Sequence, residues 1–413
     1  MKISDRTVIN KICCAALSML ILSGCAEKND DNGTYETEAV TYKVIYENNG
    51  YVRPDDYYNS EIGTEYITVP PEMRISYGYE QLEKNERQVY DIILEAVINC
   101  EETVEIPNID RSGKVYNKLL ELLRCENSAL FHIKRRETGQ TGLAAQSFTL
   151  EITYSYTPEQ VNRMIRETEK QADNILGLIT DDMDDYDKLK LFHDSLIINC
   201  SSDIDGEYAD TVYGALVDKK ALCEGYARAF SYLCSRSGIE NIIVTGTAGE
   251  AHMWNMVKLD GNWYHVDVTW DHPDRLLSEH YPDMVLYNYF LVSDADLTGS
   301  RTIDDRMFTP PRATSSIMNY FYHEGMYADS YEAALNVIET GCAEAISENR
   351  HSFMVKLASD QLYSDVIGRL SARADSSADT DISAAMQRAG FNGRISYTDM
   401  YSSGRVIVFL LDY

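Results

Sequence analysis

Apolar residues recur at helical spacing in the first part of the chain that is predicted to fold. Apolar residues have helical periodicity within residues 82–100 and again within residues 114–125, so both segments are predicted as helices. Shorter apolar runs at residues 129–133 and 147–156 are predicted as strands, the second because apolar and polar residues alternate along it. These elements together predict a small α+β region over residues 57–157.

Two further helices are predicted downstream, the first from a capping signal. Thr157 precedes Pro158, which is a typical helix start, and helical spacing continues over residues 158–178. The second helix is predicted over residues 186–199. His193 lies on its apolar stripe, so we expect a hydrogen-bonded core histidine at that position.

A third helix is predicted to start at Cys223. Apolar residues follow at positions i+4, i+7 and i+11 and form one stripe: Ala227, Phe230 and Cys234. At a helix start, the unpaired amides and the positive end of the helix dipole favour the thiolate form of Cys223. Its own amide would point toward an oxyanion, and Gly225 leaves room for substrate or backbone to approach closely.

Two alternating runs next predict an antiparallel hairpin. They cover residues 252–259 and 262–270, and Asp260-Gly261 between them is a strong signal for a two-residue turn. A turn of this length fixes which residues of the two strands face each other.

The predicted register brings His252 close to Asp267. If Leu259 pairs with Asn262, His252 and Asp267 become diagonal neighbours on one face of the hairpin, about 7–8 Å apart at Cα. A carboxylate then reaches an imidazole N–H. A three-residue loop would turn one strand over and break this arrangement.

The segment after Pro310-Pro311 changes character. Helices are predicted over residues 330–346 and 359–372, a strand over 351–357, and a terminal hairpin over 394–397 and 406–411. The segment is therefore predicted to be an accessory α/β unit. It carries no motif for chemistry.

Cys223, His252 and Asp267 supply the groups of a thiol acyl-transfer enzyme. A thiolate attacks a carbonyl, an imidazole exchanges the proton, and a carboxylate orients the imidazole. Their order on a helix start and two adjacent strands suits that chemistry. We therefore expect a Cys–His–Asp catalytic triad, without a cofactor and without a metal ion.

Three separated blocks also carry a family resemblance. Residues 223–230 begin with Cys and continue through Gly-Tyr-Ala, residues 252–255 read His-Met-Trp-Asn, and residues 263–270 begin with Trp and end in Asp-Val-Thr-Trp. Residues 158–310 thereby resemble the bacterial transglutaminase-like superfamily. The resemblance implies an α+β, papain-like core in which the nucleophile helix packs on an antiparallel sheet.

The same resemblance implies roles for individual residues. Cys223 corresponds to the nucleophile, His252 to the general base and acid, and Asp267 to the group that orients the imidazole. Tyr213 lies where such sequences often have a Tyr before the Cys, which suggests a position near the oxyanion. The family includes cross-linking enzymes, peptidases and members without activity.

The N-terminus predicts export and lipidation. A basic segment precedes an apolar run over residues 12–22, which is too short to span a bilayer and is typical of a secretory signal. The sequence Leu22-Ser23-Gly24-Cys25 resembles a bacterial lipobox, which implies cleavage before Cys25 and a lipid anchor on that thiol. The alternative is an ordinary signal peptide or short anchor. We expect a protein anchored at the extracytoplasmic face of a bacterial cell membrane.

Charge narrows the possible partners. The chain has 66 acidic and 37 basic residues, a formal net charge of −29. Nucleic acid and anionic membrane surfaces would be repelled, so neither is expected as a partner beyond the lipid anchor. Peptide or protein amides, including cell-wall peptides, are the expected substrates because they fit the expected location.

Six cysteines remain after the signal sequence and Cys25. They form neither a CxxC pair nor a regular framework, so no disulfide scaffold is indicated: Cys100, Cys125, Cys200, Cys223, Cys234 and Cys342. Cys234 is predicted to be a small core residue. A pair among Cys100, Cys125, Cys200 and Cys342 stays open.

A metal cluster is the main alternative for the polar residues around the triad. The candidates are His265, Asp267, Asp271, His272 and His280. They do not show the spacing of a zinc site, and a metal would compete for the triad carboxylate. We therefore interpret them as residues of the core and the cleft wall.

The predicted function is acyl transfer on peptide or protein amides through a thioester, most simply with water as the acceptor. The alternatives are a cross-linking transglutaminase that joins Gln to Lys, and a surface binding or scaffold protein that keeps the fold without turnover. Five segments are predicted: 1–24 signal peptide, 25–56 polar tether, 57–157 N-terminal α+β region, 158–310 catalytic core, and 311–413 C-terminal accessory unit.

Overall fold

The computed structural model of the 413-residue chain describes most of its length beyond residue 75. The described residues are 76–109, 114–133, 139–141, 147–203, 205–372, 381–398 and 404–412. The predicted signal peptide, Cys25 and the tether lie outside them. Within the described residues, no helix has the length and apolar character needed to cross a membrane.

Within its described residues, the N-terminal region combines three helices with a small antiparallel sheet. Its elements are α1 (Tyr77–Gln81), α2 (Lys84–Ile98), β1 (Thr103–Pro107), α3 (Lys114–Glu126), β2 (Gly139–Thr141) and β3 (Ser147–Glu151). The strands lie in the order β1-β3-β2, and α2 packs on α3 and β1. The two predicted helices are confirmed.

One of the two strands predicted for this region is confirmed, and the other is wrong. The second is confirmed but ends at Glu151 rather than at residue 156. The prediction over residues 129–133 is wrong, because the segment turns and Ile133 makes an isolated bridge to Tyr154. The apolar run suggested a strand, but Ala129 and Leu130 are fully buried without being in one, because burial does not require an extended backbone.

Two long helices, α4 (Pro158–Leu176) and α5 (Asp185–Asn199), lead into the core. Thr157 caps α4 as predicted, since its side chain accepts from the Gln160 amide and the Gln160 side chain accepts from the Thr157 amide. Asp184 caps α5 in the same way through Asp187. Both helices are therefore confirmed.

A helix on a five-stranded sheet forms the centre of the molecule. The elements that follow α5 are β4 (Ser201–Ser202), a π-helical turn (Gly214–Asp218), β5 (Lys220–Ala221), α6 (Cys223–Arg236), β6 (Asn241–Ala248), β7 (Glu250–Leu259), β8 (Asn262–Val266), α7 (Val268–Asp271), α8 (Arg275–His280), β9 (Phe290–Val292), α9 (Asp294–Leu297) and β10 (Thr302–Ile303). The sheet order is β10-β6-β7-β8-β9, with antiparallel pairing throughout. Helix α6 packs on β6 and β7, so the predicted α+β core with a helix on an antiparallel sheet is confirmed.

Helix α6 is buried on more sides than predicted. Every residue from Glu224 to Cys234 is buried, including the predicted stripe of Ala227, Phe230 and Cys234. The helix contacts α5 and α7 as well as the sheet, so almost its whole surface is covered. A single apolar stripe was therefore too narrow a description of this helix.

The hairpin register is the predicted one. Asp260 and Gly261 both have positive φ, 50° and 79°, as a two-residue turn of this kind requires. Leu259 pairs with Asn262, and the ladder continues to the pair formed by Asn255 and Val266.

The described residues of the C-terminal unit form a four-stranded sheet with three helices. Its elements, with the short helix that precedes them, are α10 (Tyr320–His323), β11 (Tyr327–Ala328), α11 (Tyr331–Ser347), β12 (Ser352–Leu357), α12 (Asp360–Ala372), α13 (Asp381–Arg388), β13 (Arg394–Thr398) and β14 (Val406–Asp412). The order is β11-β12-β14-β13, with β11 and β12 parallel. The predicted helices, strand and terminal hairpin are confirmed. Helix α13 and strand β11 were not predicted.

Both faces of this C-terminal sheet are covered. Alternate residues of β12 and β14 pack on the helices of the unit: Phe353, Val355, Leu357, Ile407, Phe409 and Leu411. The residues between them join the central core: Met354, Val406, Val408 and Leu410. Because side chains of a strand alternate between faces, one sheet serves two hydrophobic cores.

Candidate active site

Cys223 is the first residue of helix α6, as predicted. Leu222 precedes the helix in extended conformation, and its amide donates to the Ala209 carbonyl at 2.7 Å. The thiol is half-buried, while residues 224–234 of the helix behind it are buried. The first turn leaves its amides without intrahelical acceptors, so they are available to an anion formed at Cys223.

Gly225 allows the chain to approach the start of α6 closely. A Cβ at this position would lie 2.3 Å from the Ala209 carbonyl oxygen and 3.1 Å from that of Thr211. A side chain is therefore excluded by backbone atoms. Of the two roles predicted for Gly225, the approach of backbone is the one that the structure shows.

His252 lies on the central strand β7 and faces both other residues of the expected triad. Its Nε2 is 2.9 Å from Oδ2 of Asp267, and the ring is also hydrogen-bonded to the Cys223 thiol. The Trp254 ring stacks on the imidazole, with ring centroids 5.7 Å apart, and limits its rotation.

Asp267 reaches His252 by a different route from the predicted one. Strand β8 ends at Val266, and Asp267 is the N-cap of the short helix α7, where its Oδ1 accepts from the Trp270 amide at 3.2 Å. The expectation that Asp267 lies on a strand running to Trp270 is therefore wrong. An Asp side chain stabilises a helix start, and here this capping holds one carboxylate oxygen while the other faces His252.

The electrostatics of the pair favour charges on both residues. Burial opposes protonation of His252, but the hydrogen bonds to Asp267 and Cys223 and their charges raise its pKa to about 9. Burial would raise the pKa of Asp267, but His252 and Arg301 outweigh it and hold that pKa below its usual value. An imidazolium next to an ionised carboxylate is the state that these contacts stabilise.

Arg301 is the main site residue that sequence reasoning missed. Its Nη2 and Nε lie 2.5 Å and 3.2 Å from Oδ2 of Asp267, the same oxygen that faces His252. The guanidinium carbon lies 3.7 Å from the centre of the Tyr289 ring and 5.0 Å from that of Trp270. Arg301 belongs to none of the motifs that identified the triad, so its sequence position gave no signal.

Asn255 ends the His-Met-Trp-Asn block, but the sequence analysis predicted no role for it. Its Nδ2 donates to the Ala227 carbonyl at 2.9 Å, which ties strand β7 to the nucleophile helix. His252 precedes Asn255 on the same strand, and Cys223 precedes Ala227 by one helical turn. This buried hydrogen bond therefore fixes the distance between the two elements that carry the thiol and the imidazole.

A buried charge cluster anchors the other side of the nucleophile helix. Glu224, directly after Cys223, accepts from Arg124 at 2.7 Å and from Arg228 at 2.9 Å. All three residues are buried, and Arg124 comes from α3 of the N-terminal region. The N-terminal region is thus tied by an ion pair to the residue that follows Cys223.

The remaining polar residues around the triad lie in separate contacts. His265 accepts from the Trp254 indole at 3.1 Å and contacts Asp294 at 3.0 Å. His272 contacts the Cys200 carbonyl at 3.0 Å. In the part of the chain that the structure describes, no group of three or more His, Cys, Asp or Glu residues is arranged to hold a metal ion.

His193 is a buried histidine, as predicted, and it has partners on both ring nitrogens. Nδ1 is 3.0 Å from Asp194, and Nε2 is 3.2 Å from Asp271. Asp271 also accepts from the Tyr289 amide at 3.0 Å, and its own amide donates to the Asp267 carbonyl. This second His–Asp pair therefore lies directly behind the triad carboxylate.

Tyr213 and the cysteines other than Cys223 are the remaining residues that the sequence analysis discussed. The Tyr213 hydroxyl donates to Glu167 at 2.8 Å, so its proton faces that carboxylate. The six described cysteines carry free thiols. Cys100 is half-buried like Cys223, but burial raises its pKa to about 11.

Comparison with known families agrees with this geometry. The sequence profile described as the transglutaminase-like superfamily matches residues 173–268. This segment of the chain belongs to the transglutaminase-like superfamily. The matched residues contain Cys223, His252 and Asp267, whereas Arg301 lies beyond them.

Two curated relatives match part of the chain. Kyphoscoliosis peptidase of Homo sapiens is 30% identical over 129 residues, which cover 26% of this chain and 19% of that protein. The Mus musculus protein of the same name gives the same identity and coverage. The chain thus spans less than a fifth of the length of these curated relatives.

Solved structures add weaker likenesses. A structure titled "Crystal structure of a TGase" aligns with a TM-score of 0.25 and 14% identity, over 44% of this chain and 56% of that one. A putative cysteine protease from Cytophaga hutchinsonii aligns with a TM-score of 0.23 and 15% identity, over 41% and 70% of the two chains. Alignments at these scores carry no argument, so assignment to the transglutaminase-like superfamily rests on the profile match.

Proposed function

We propose that this protein is a thiol-dependent acyl-transfer enzyme that hydrolyses peptide or protein amides, with Cys223 as nucleophile. The observation that carries the proposal is the position of His252. Its imidazole hydrogen-bonds a half-buried thiol at a helix start on one side and a buried carboxylate on the other. That arrangement activates a cysteine for attack on a carbonyl.

The first half of the reaction forms a thioester. The Cys223 thiolate attacks the amide carbon, and the electron pair of the carbonyl moves to oxygen, where the Cys223 amide stabilises the negative charge. When the C–N bond breaks, the His252 imidazolium gives its proton to the departing amine. Asp267 keeps the imidazolium oriented throughout.

The second half regenerates the thiolate. His252 removes a proton from water, the resulting hydroxide attacks the thioester carbon, and the C–S bond breaks to release the acid. An amine in place of water would give a new amide, which is cross-linking. The name of the human and mouse relatives, a peptidase, supports water as the acceptor.

The first test is the pH dependence of Cys223 alkylation by iodoacetamide. An ordinary thiol has a pKa of about 8.5. We expect rapid labelling of Cys223 well below that pH, and slower labelling in His252→Ala and Asp267→Asn. Cys100 is a control within the same chain, because it is also a half-buried free thiol and lies outside the site. If Cys223 is labelled with the pH profile of an ordinary thiol, and neither substitution changes that profile, the enzyme proposal is overturned in favour of a binding module.

The second test separates hydrolysis from cross-linking. Purified protein is incubated with a peptide mixture, with and without an added primary amine, and the products are weighed by mass spectrometry. Hydrolysis gives two fragments whose summed mass exceeds that of the substrate by one water. Covalent addition of the amine, absent in Cys223→Ala, would replace the hydrolytic proposal by a cross-linking one.

We further propose that the protein is held by a lipid on Cys25 at the extracytoplasmic face of a bacterial membrane. The support is the basic and apolar N-terminal sequence that ends in Leu-Ser-Gly-Cys. Mass spectrometry of the protein from membranes should find residue 25 as a lipidated N-terminus. A Cys25→Ala variant that stays in the membrane fraction to the same extent would contradict the proposal.

A further inference from the structure

Arg301 is the feature of the site that the proposed chemistry has not yet used. The Arg301 side chain is 1% exposed, and its ion-pair partner among the described residues is Asp267, which is also buried. Two of its nitrogens converge on one oxygen of Asp267. The aromatic faces of Tyr289 and Trp270 lie close to the guanidinium, so the cation is held on several sides.

The balance of charge at the site depends on this cation. Asp267 and Arg301 neutralise each other, so a Cys223 thiolate and a His252 imidazolium form beside them without net buried charge. Without Arg301, the imidazolium would be needed to neutralise Asp267, and the thiolate would become an excess negative charge. Burying an uncompensated charge is costly, so the thiol would keep its proton to higher pH.

We propose that Arg301 is a positioning residue of the acyl-transfer site, the fixed counter-ion of Asp267 that allows Cys223 and His252 to carry opposite charges. Its fork geometry suits this role, because Nε and Nη2 hold one carboxylate oxygen in place for His252. The Trp270 amide holds the other oxygen. Asp267 is thereby fixed in both charge and orientation.

The other charged groups near Asp267 have already been placed. His252 and Cys223 face it from β7 and α6. Asp271 lies behind it on α7, where burial, with a smaller contribution from the charge of Asp267, raises the Asp271 pKa to about 6. Asp271 in turn contacts His193, so Arg301 is the cation in direct contact with the oxygen that His252 uses.

This inference rests on the proposed function, but its test does not need turnover. Two neutral replacements are informative: Arg301→Gln, which still donates a hydrogen bond, and Arg301→Met, which does not. Removing a buried cation favours the protonated form of each nearby group. We therefore expect the acid-side midpoint of Cys223 alkylation to rise by about one pH unit in both variants, with about tenfold slower labelling below it. Arg301→Lys keeps the charge and should recover most of the wild-type profile.

The matched control is Arg306→Met. Arg306 is an exposed arginine in the same segment whose partner is Asp304, so its loss should leave the profile unchanged. Thermal unfolding identifies which variants are folded. A folded Arg301→Gln or Arg301→Met protein with the wild-type alkylation profile would overturn the role of Arg301.

A second readout separates this inference from the proposed function. NMR titration of His252 in the Cys223→Ala background should show a higher His252 pKa after Arg301→Gln than before it, whether or not the thiol is reactive. If wild-type Cys223 labels as an ordinary thiol while His252 still responds to Arg301, the enzyme proposal fails and the coupling stands. An unchanged His252 titration overturns the coupling even when Cys223 is reactive.

Discussion

Two buried His–Asp pairs lie back to back in this protein and differ in what completes them. His252 contacts Asp267 at 2.9 Å, and His193 contacts Asp271 at 3.2 Å. The two aspartates are one helical turn apart, and the Asp271 amide donates to the Asp267 carbonyl. Each imidazole is thus oriented by a carboxylate in nearly the same way.

The difference lies in the second partner of each ring. His252 faces the half-exposed Cys223 thiol, and Trp270 beside it is 44% exposed, so a substrate has access. His193 is 0% exposed and faces Asp194, a second carboxylate. A His–Asp hydrogen bond is therefore as useful for holding a core together as for catalysis. A nucleophile with access to solvent is what makes the first pair a candidate active site.

Replacing His252 should produce the largest effect, and it should lower turnover far more than stability. In His252→Ala we expect the amide-hydrolysis rate to fall by about 10²–10⁴-fold, the range typical for loss of a general acid–base group. The free energy of unfolding should change much less than in the matched variant of His193. Turnover with a cleavable peptide and urea denaturation measure the two quantities. A His252→Ala enzyme that keeps its rate would remove the functional distinction between the pairs.

Replacing His193 should have the opposite outcome. His193→Ala removes the imidazole that lies between Asp194 and Asp271, and breaking a buried charge pair costs about 3–5 kcal/mol of unfolding free energy. The molecules that remain folded should hydrolyse substrate at close to the wild-type rate. His193→Gln, which still donates a hydrogen bond, should lose less stability. Full stability in His193→Ala, measured by urea denaturation, would contradict the structural role.

The two aspartates should respond to pH in opposite directions, with a smaller effect. Burial raises the Asp271 pKa to about 6, so the folded state binds this proton more strongly than the unfolded state does. Its contribution to stability therefore falls as the pH rises from about 4 to 6, by about 2 kcal/mol. The pKa of Asp267 is lowered despite its burial, so its contribution is present above its usual value and is lost as the pH falls below it.

Urea denaturation from pH 3 to pH 7 would test this contrast. The stability difference between wild type and Asp271→Asn should shift in favour of the variant as the pH rises. The difference between wild type and Asp267→Asn should shift in favour of wild type over the same range. Parallel curves for the two variants would show that the carboxylates do not differ as described.

The hairpin could be predicted from sequence because its determinants are local. Asp260-Gly261 selects a two-residue turn, and this turn sets the register that brings His252 toward Asp267. The strand predicted to continue to Trp270 was wrong, because Val268 and Thr269 have strand-forming side chains while Asp267 caps a helix. An Asp three residues before an amide that it can cap was the available signal.

Arg301 and the second His–Asp pair could not be predicted in the same way. Arg301 reaches Asp267 only because strand β10 pairs with the far side of β6, a long-range contact without a local pattern. His193 was correctly predicted as a core histidine from its helical stripe, but its partner Asp271 depends on how α5 packs on α7. Spacing identifies residues that a single element positions, and it is silent about partners brought together by packing.

The sheet shared by two cores has a consequence for producing the protein in pieces. A gene ending near codon 310 would encode a polypeptide whose central core has lost Met354, Val408 and Leu410 as its cover. The apolar surface exposed to solvent in this way would promote aggregation and binding by chaperones. Poor yield of such a fragment would result from loss of the sheet face that covers the central core rather than from a defect in the catalytic residues.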